Sequence, residues 1–276
     1  MKVDVVVCAK NQAKCLERIL RQINASVPHE NLIVIYATSA DETEKIAKTY
    51  TNNVFWDEDT GLGAARNLGV RKATSEIVAM IDADVILTEG WYQQLIEHFQ
   101  ISSVAAVMGT CIYGYGYKPL ESYWEYLRRT AHVNYGCQNT MFRREIVLKV
   151  GNFDQSIRGA GEDYDLYLRL LAAGYEWVWE RKATVYHPMS MSEYLKHVRW
   201  WDQGRPYADE MAREHISLLR FYERQVLFIL QAFLTGAKLS VFVHPTLLLY
   251  FPIIEATSAF ERLKELKKDA RAHRES

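Results

Sequence analysis

Along the first hundred positions, short apolar bursts alternate with stretches in which apolar residues recur every three to four places. Val3–Val7, apolar but for Asp4, reads as a buried strand, and Leu16, Ile19, Leu20 and Ile23 then share one helical face. Leu32–Tyr36 is a second strand. Ser39-Ala40-Asp41-Glu42 has the form of a capping box and predicts a helix through about Tyr50. Val54–Trp56 is a short third strand. A helix over 64–73 and the strand Ile77–Ile81 follow, then a helix capped by Thr88 that carries Trp91, Leu95, Ile96 and Phe99. Strand alternating with helix predicts an α/β fold, a mostly parallel sheet flanked by helices. Right-handed crossovers put the carboxyl ends of its strands along one edge, where ligands bind in such folds.

The middle of the chain is less periodic. Residues 111–118, rich in Gly and Tyr, read as a loop, and Pro119–Val133 reads as a helix. Glu162–Ala173 is helical and is stopped by Gly174. Glu176–Trp179 and Ala183–His187 read as a hairpin or strand pair, and Ser190–Asp202 as a helix. A boundary is expected near 205, separating a catalytic domain (1–205) from a C-terminal helical apolar extension (206–276). In the extension, Val226–Leu234 and Val241–Ile254 are strongly apolar, and basic residues surround them. Neither run reaches the roughly 20 residues of a spanning helix. They form either an interfacial pair on an anionic membrane or a buried hairpin or oligomer contact.

Composition narrows the function. With 276 residues and a net charge of −1, the chain has no broad basic field for nucleic acid. Four cysteines without CxxC spacing read as reduced thiols. The N-terminus is too short and polar-flanked for a signal peptide, so the chemistry is expected on the cytosolic face of any membrane.

The sharpest chemical signal is Asp82-Ala83-Asp84, which ends an apolar strand where a hard divalent cation could sit on carboxylate oxygens. Turn capping is the plainer role for these acids. Asp57-Glu58-Asp59 has the same spacing in a polar loop and reads as a chance copy. Gly159-Ala160-Gly161-Glu162-Asp163-Tyr164-Asp165 puts glycines ahead of a helix whose first turn holds three acids. The helix dipole favours acids there, and a carboxylate so placed can also serve as a general base. Gly61-Leu62-Gly63-Ala64-Ala65-Arg66 nearly matches the dinucleotide fingerprint, but Arg66 stands where a small residue belongs and no acid follows at the right distance. A dehydrogenase is therefore excluded, while Arg66 at a helix start could meet a phosphate.

Taken in order, these segments resemble family-2 glycosyltransferases of the GT-A fold. Val5–Leu20 resembles the family's opening strand, nucleotide loop and helix. Gly63–Gly69 resembles its A-R-N-x-G stretch, and Asp82–Asp84 its D-x-D. Asn139–Glu145 with Val150–Asp154 resembles the acceptor-side stretch, Gly161–Leu166 the E-D-x-D region, and Val185–His187 a strand end that often supplies a histidine to metal. The resemblance covers roughly residues 3–205. It implies an inverting transfer of sugar from a UDP- or GDP-sugar to a glycan or a lipid-linked acceptor.

The resemblance also implies roles. Mg²⁺ or Mn²⁺ would be held by Asp84, Asp82 and His187, although a strand-end histidine bonded to backbone is the alternative for His187. Asp163 would be the base, with Glu162 beside it. Ala9, Asn11, Tyr36, Arg66 and Asp82 would contact the donor. Lys196-His197-Val198-Arg199-Trp200 partly resembles the Q-x-x-R-W motif of processive synthases, with Lys196 in place of Gln. Arg199 or Arg205 would clamp the diphosphate, or else lie on a solvated basic face. One departure stands out. Where the family usually ends its second strand in an Asp pair, this chain has Tyr36-Ala37-Thr38-Ser39. The other readings are a sugar nucleotidyltransferase, disfavoured because Val7–Asn11 lacks a Gly-rich basic loop, and an inactive nucleotide- or sugar-binding scaffold of a membrane complex.

Overall fold

The computed structural model describes residues 1–131, 135–157, 159–202, 217–242 and 245–275. They form two compact units. The first comprises Met1–Ile112, Arg128–Arg158 and Glu162–Pro188, and the second comprises Tyr113–Leu127, Gly159–Gly161 and Met189–Ser276. The boundary expected near 205 lies outside the described residues.

The first unit is built on one sheet. Its strands are β1 (Val3–Ala9), β2 (Asn31–Tyr36), β3 (Val54–Trp56), β4 (Ile77–Ile81), β5 (Ile86–Leu87), β6 (Val104–Tyr113), β7 (Asn139–Arg143) and β8 (Glu176–His187). Their order is β3-β2-β1-β4-β7-β6-β8-β5. The first four run parallel, while β7 is antiparallel to both β4 and β6, and β5 is antiparallel to β8. Helices α1 (Ala13–Ser26), α2 (Thr43–Tyr50), α3 (Leu62–Lys72), α4 (Trp91–Ile96), α6 (Arg144–Lys149) and α7 (Glu162–Ala172) belong to the same unit. Val6, Ile33, Val78, Phe142 and Phe153 meet Leu166 and Leu170 of α7 in its core. At the amino end of the sheet, Asp4 accepts from Thr74 N, Ser75 N, Ser75 Oγ and Asn31 Nδ2 at 2.6–2.9 Å. Burial opposes its charge, but these bonds hold its carboxyl below the ordinary value.

Several local expectations are corrected. Residues 104–113 form a strand buried throughout, so the expected loop begins only at Gly114, whose φ is +81°. Glu176–His187 is one strand of 12 residues, not a pair. Its charged middle is occupied rather than turning: the Arg181 guanidinium lies 4.1 Å over the Trp179 ring, and Glu180 takes His98 Nε2 at 3.0 Å. The expected capping box does not form. The second helix starts at Thr43, and Ser39 Oγ accepts Asn11 N at 3.0 Å. Thr88 leaves its helix uncapped by side chain and donates to the Thr184 carbonyl at 2.6 Å.

The second unit contains most of α5 (Lys118–Thr130), α8 (Met191–Asp202), α9 (Leu218–Phe242) and α10 (Leu247–Glu275). Aromatic rings fill it. Tyr123 meets Phe251 at 4.6 Å, and Tyr113 meets Trp124 and Trp201 at 4.8 and 5.3 Å. Buried Asp202 accepts Ser258 Oγ and Arg262 Nε, and Arg262 also reaches Gln225, so three helices share one polar knot. Helices α9 and α10 come together at Gly236, where a Cβ would lie 2.6 Å from the Leu247 carbonyl oxygen. No described helix is long and apolar enough to cross a membrane.

Candidate active site

The carboxyl ends of β1, β2 and β3 lie side by side, with Ala9 opposite Tyr36 and Tyr36 opposite Trp56. Two loops are sewn together there. The Ala9 carbonyl takes Ala37 N at 3.1 Å, and Asn11, at a φ of +53°, takes Ala40 N on Oδ1 at 2.8 Å. Gln12 N and Ala13 N reach Thr43 Oγ1 and Asp41 Oδ2. Asp41 is thus used within the loop. Tyr36 is half-buried and its hydroxyl bonds Glu44. The loops that would meet a nucleotide are fixed by hydrogen bonds rather than by packing alone.

Helix α3 sits on the sheet through glycines. A Cβ on Gly69 would come within 2.4 Å of Val6, and one on Gly63 within 2.4 Å of the Asp154 carbonyl oxygen. Asn67 Nδ2 donates to the Phe153 carbonyl at 2.6 Å, and Asn152 Nδ2 returns to the Asn67 carbonyl. The glycine pattern therefore serves close packing. It also fixes Arg66, which is buried in the same helix.

Arg66 joins the two acidic segments. Its Nη2 lies 3.2 Å from Asp82 Oδ1, and its Nη1 pairs with Glu162 Oε1. Burial pushes the carboxyl of Asp82 up, against the pull of Arg66. Burial likewise raises Glu162 to about 7, again opposed by Arg66. Glu162 Oε2 is buried and takes no hydrogen bond from a described residue. One buried carboxyl, Glu162, and one partly exposed carboxyl, Asp82, share a single guanidinium, a pair with a spare acid.

Asp84 engages another set of groups. Gln12 Nε2 donates to its Oδ2 at 3.2 Å, Arg18 Nη2 meets its carbonyl at 3.4 Å, and His187 Nε2 lies 3.2 Å from its Oδ1. The pairing of Ile86 with Tyr186 brings the end of β8 to this turn. Burial disfavours the His187 imidazolium, yet the Asp84 hydrogen bond and charge outweigh it and raise the group above its ordinary value.

Asp163 lies half-buried in the first turn of α7. Behind it, Tyr135, Tyr164 and Tyr167 stack, with Tyr135 4.7 Å from Tyr164 and 5.5 Å from Tyr167.

The Asp84 carboxylate suits Mg²⁺ or Mn²⁺, hard cations that draw further oxygens from phosphate and water, and the His187 imidazole beside it suits Mn²⁺ better than Mg²⁺. Among the described residues no three His, Cys, Asp or Glu side chains converge into a ready cage. Asp82 points its Oδ1 to Arg66 instead. Arg199 lies on the exposed face of α8 in the second unit. Arg205 is outside the described residues. Gln12 and Arg18 were not foreseen. Their type and spacing carry no signal, and only the fold brings them to Asp84.

The family model described as Glycosyl transferase family 2 matches residues 4–157, more than half of the chain. The chain is 29% identical over 203 residues to the pre-mycofactocin glycosyltransferase of Mycobacterium tuberculosis, covering 67% of this chain and only 42% of that relative's length. It is 25% identical to the O-antigen chain rhamnosyltransferase WbaN of Salmonella anatum, over 63% of this chain and 61% of that one. Among solved structures, the mannosyltransferase PcManGT from Pyrobaculum calidifontis, in complex with GDP-Man and Mn²⁺, superposes with a TM-score of 0.67 at 17% identity, covering 95% and 87% of the two chains. Glucosyl-3-phosphoglycerate synthase from Mycobacterium tuberculosis, with Mg²⁺ and uridine diphosphate, gives a TM-score of 0.55 at 18% identity over 78% and 80%. These likenesses give the first unit its GT-A fold.

Proposed function

The chain belongs to glycosyl transferase family 2, and from that premise we propose that it moves a sugar from a nucleotide-diphosphate donor to an acceptor hydroxyl or lipid phosphate, with inversion and with a divalent metal. The observation that carries this reading is the bridge from Asp82 through Arg66 to Glu162, with Asp84 and His187 meeting alongside.

Asp84 and His187 would hold Mg²⁺ or Mn²⁺, which when bound neutralises the diphosphate as it leaves. Asp82, steadied by Arg66, would orient the donor. Ala9, Asn11 and Tyr36 line the edge where a nucleoside would lie. Asp163 would take the proton from the acceptor hydroxyl as the oxygen bonds the anomeric carbon and the bond to the diphosphate breaks. Glu162 would stand beside it and hold the acceptor. A lipid phosphate is already an anion, and for such an acceptor Asp163 would position rather than deprotonate. Exposed apolar side chains on α9 and α10 favour an acceptor presented at a membrane surface, with the protein bound peripherally.

Calorimetric titration with UDP and GDP, each with and without Mn²⁺, tests the reading. Metal-dependent binding of either nucleotide, lost in Asp84→Ala, is expected. Asp163→Asn should keep nucleotide binding while turnover falls by roughly 10²-fold or more. Equal affinity with and without metal would remove Asp84 from the metal site.

A further inference from the structure

The acidic loop after β3, which looks incidental in sequence, folds onto the nucleotide edge. Asp57 directly follows the last residue of β3, and its N–H donates to the Tyr36 carbonyl at 3.0 Å. It therefore extends the row Ala9, Tyr36, Trp56 across three parallel strand ends. Its charge acts on Cys8 of β1, and the charge of Lys10 acts on it in turn.

The loop is braced for this position. Glu58 and Asp59 both take left-handed conformations, with φ of +58° and +56°, a costly geometry for residues other than glycine. Asp59 N donates to Asp57 Oδ1 at 2.9 Å. The Asp59 carboxylate grips Thr38 N at 2.9 Å and Thr38 Oγ1 at 2.5 Å. Thr60 closes the turn on the Asp57 carbonyl. Asp59 is thus consumed as a strut, and Asp57 is the carboxylate it presents. Asp57 is 9% exposed, and its Oδ2 takes no hydrogen bond from a described residue. Burial correspondingly raises its carboxyl. A largely buried acid at the carboxyl edge of a parallel sheet, with one oxygen not used by the brace, can accept one more donor.

We propose that Asp57 is a donor-recognition residue, and that its Oδ2 accepts a hydrogen bond from the nucleoside of the sugar nucleotide. In α/β sheets, an acid at such a strand end commonly takes a ribose hydroxyl. Here the acid arrives from β3, across a β2 that ends in Tyr36 without one. The assignment rests on the donor site proposed above.

The test is calorimetry on the whole chain with Mn²⁺ present, titrating UDP, GDP, 2′-deoxy-UDP and inorganic pyrophosphate into wild type, Asp57→Asn and Asp57→Ala. Losing a hydrogen bond to a charged acceptor should weaken the bound nucleotide about 10- to 100-fold, with pyrophosphate affinity unchanged. A loss that vanishes with 2′-deoxy-UDP assigns the bond to the ribose 2′-hydroxyl, and one that persists assigns it to the 3′-hydroxyl or the base. Asp57→Asn keeps the Oδ1 bond to Asp59, so it serves as the folded control if Asp57→Ala is unstable. Wild-type nucleotide affinity in both variants overturns the assignment, and so does an equal loss of pyrophosphate binding, because the role would then be structural. A wild type that binds neither nucleotide overturns the donor-site reading itself.

Discussion

Arg66 and Glu162 are 96 positions apart and form a buried ion pair, with side chains 6% and 2% exposed. The pair ties α3 to the first turn of α7, and through Asp82 it also ties both to the end of β4. The two acidic segments are one electrostatic unit.

Removing the two partners should have unequal effects. Glu162→Gln leaves Arg66 with Asp82 at 3.2 Å, so the cation keeps a partner. Arg66→Met leaves the buried Glu162 carboxyl with none, while Asp82, one-third exposed, keeps water. Arg66→Met should therefore destabilise by about 3–5 kcal/mol, and Glu162→Gln by clearly less. In the double variant the cost should fall well below the sum of the two. Denaturant unfolding of the four proteins checks this, and additive costs would dissolve the unit.

The same pair sets a pH dependence. Burial raises Glu162 from 4.5 to about 7 in the folded chain. A group whose folded value lies above its unfolded value stabilises fully below the unfolded one and loses that contribution as pH rises through the folded one. Wild type should therefore lose stability between about pH 4.5 and 7, and Glu162→Gln should lack that decline. Thermal melts across this range read it directly. An unchanged slope in the variant would place the titration elsewhere.

How much of this was legible in the sequence depends on what each signal needed. β1, β2 and β4 are apolar runs bounded by turns, and the periodic faces of α1 and α7 were plain, so the parallel half of the sheet followed. The antiparallel half did not. β6 is buried at every position and shows no alternation, and β8 carries Glu180-Arg181-Lys182 in mid-strand, a triplet that mimics a turn. Arg66 could be flagged as a cation near phosphate, but its partners lie 16 and 96 residues away, and no spacing rule reaches that far. Asp57 was passed over because its loop is polar. Only the hydrogen bond to Tyr36 and the brace from Asp59 to Thr38 give it a place.

The outer face of α9 gives the last prediction. Val226, Leu230, Phe233, Ala237 and Val241 recur at helical spacing and are exposed, with Leu227 and Leu234 beside them. Phe221, Gln225, Ala232 and Leu239 occupy the buried side. The stripe from Val226 to Val241 is about 22 Å long at 1.5 Å per residue, too short for a hydrocarbon core of roughly 30 Å. Arg220, Arg224 and Lys238 are exposed along one flank, and Glu223 is the exposed acid of this helix. In a self-paired dimer those cations would face copies of themselves. Anionic headgroups would complement them, with the apolar stripe seated at the acyl boundary. The whole chain should therefore sediment with vesicles containing phosphatidylserine, and weaken as salt is raised. Leu230→Glu with Leu234→Glu should release it while metal-dependent nucleotide binding stays intact. Retention of the double variant on vesicles would move the membrane contact off this face, and a shift of wild type to a dimer in their absence would assign the face to a protein contact instead.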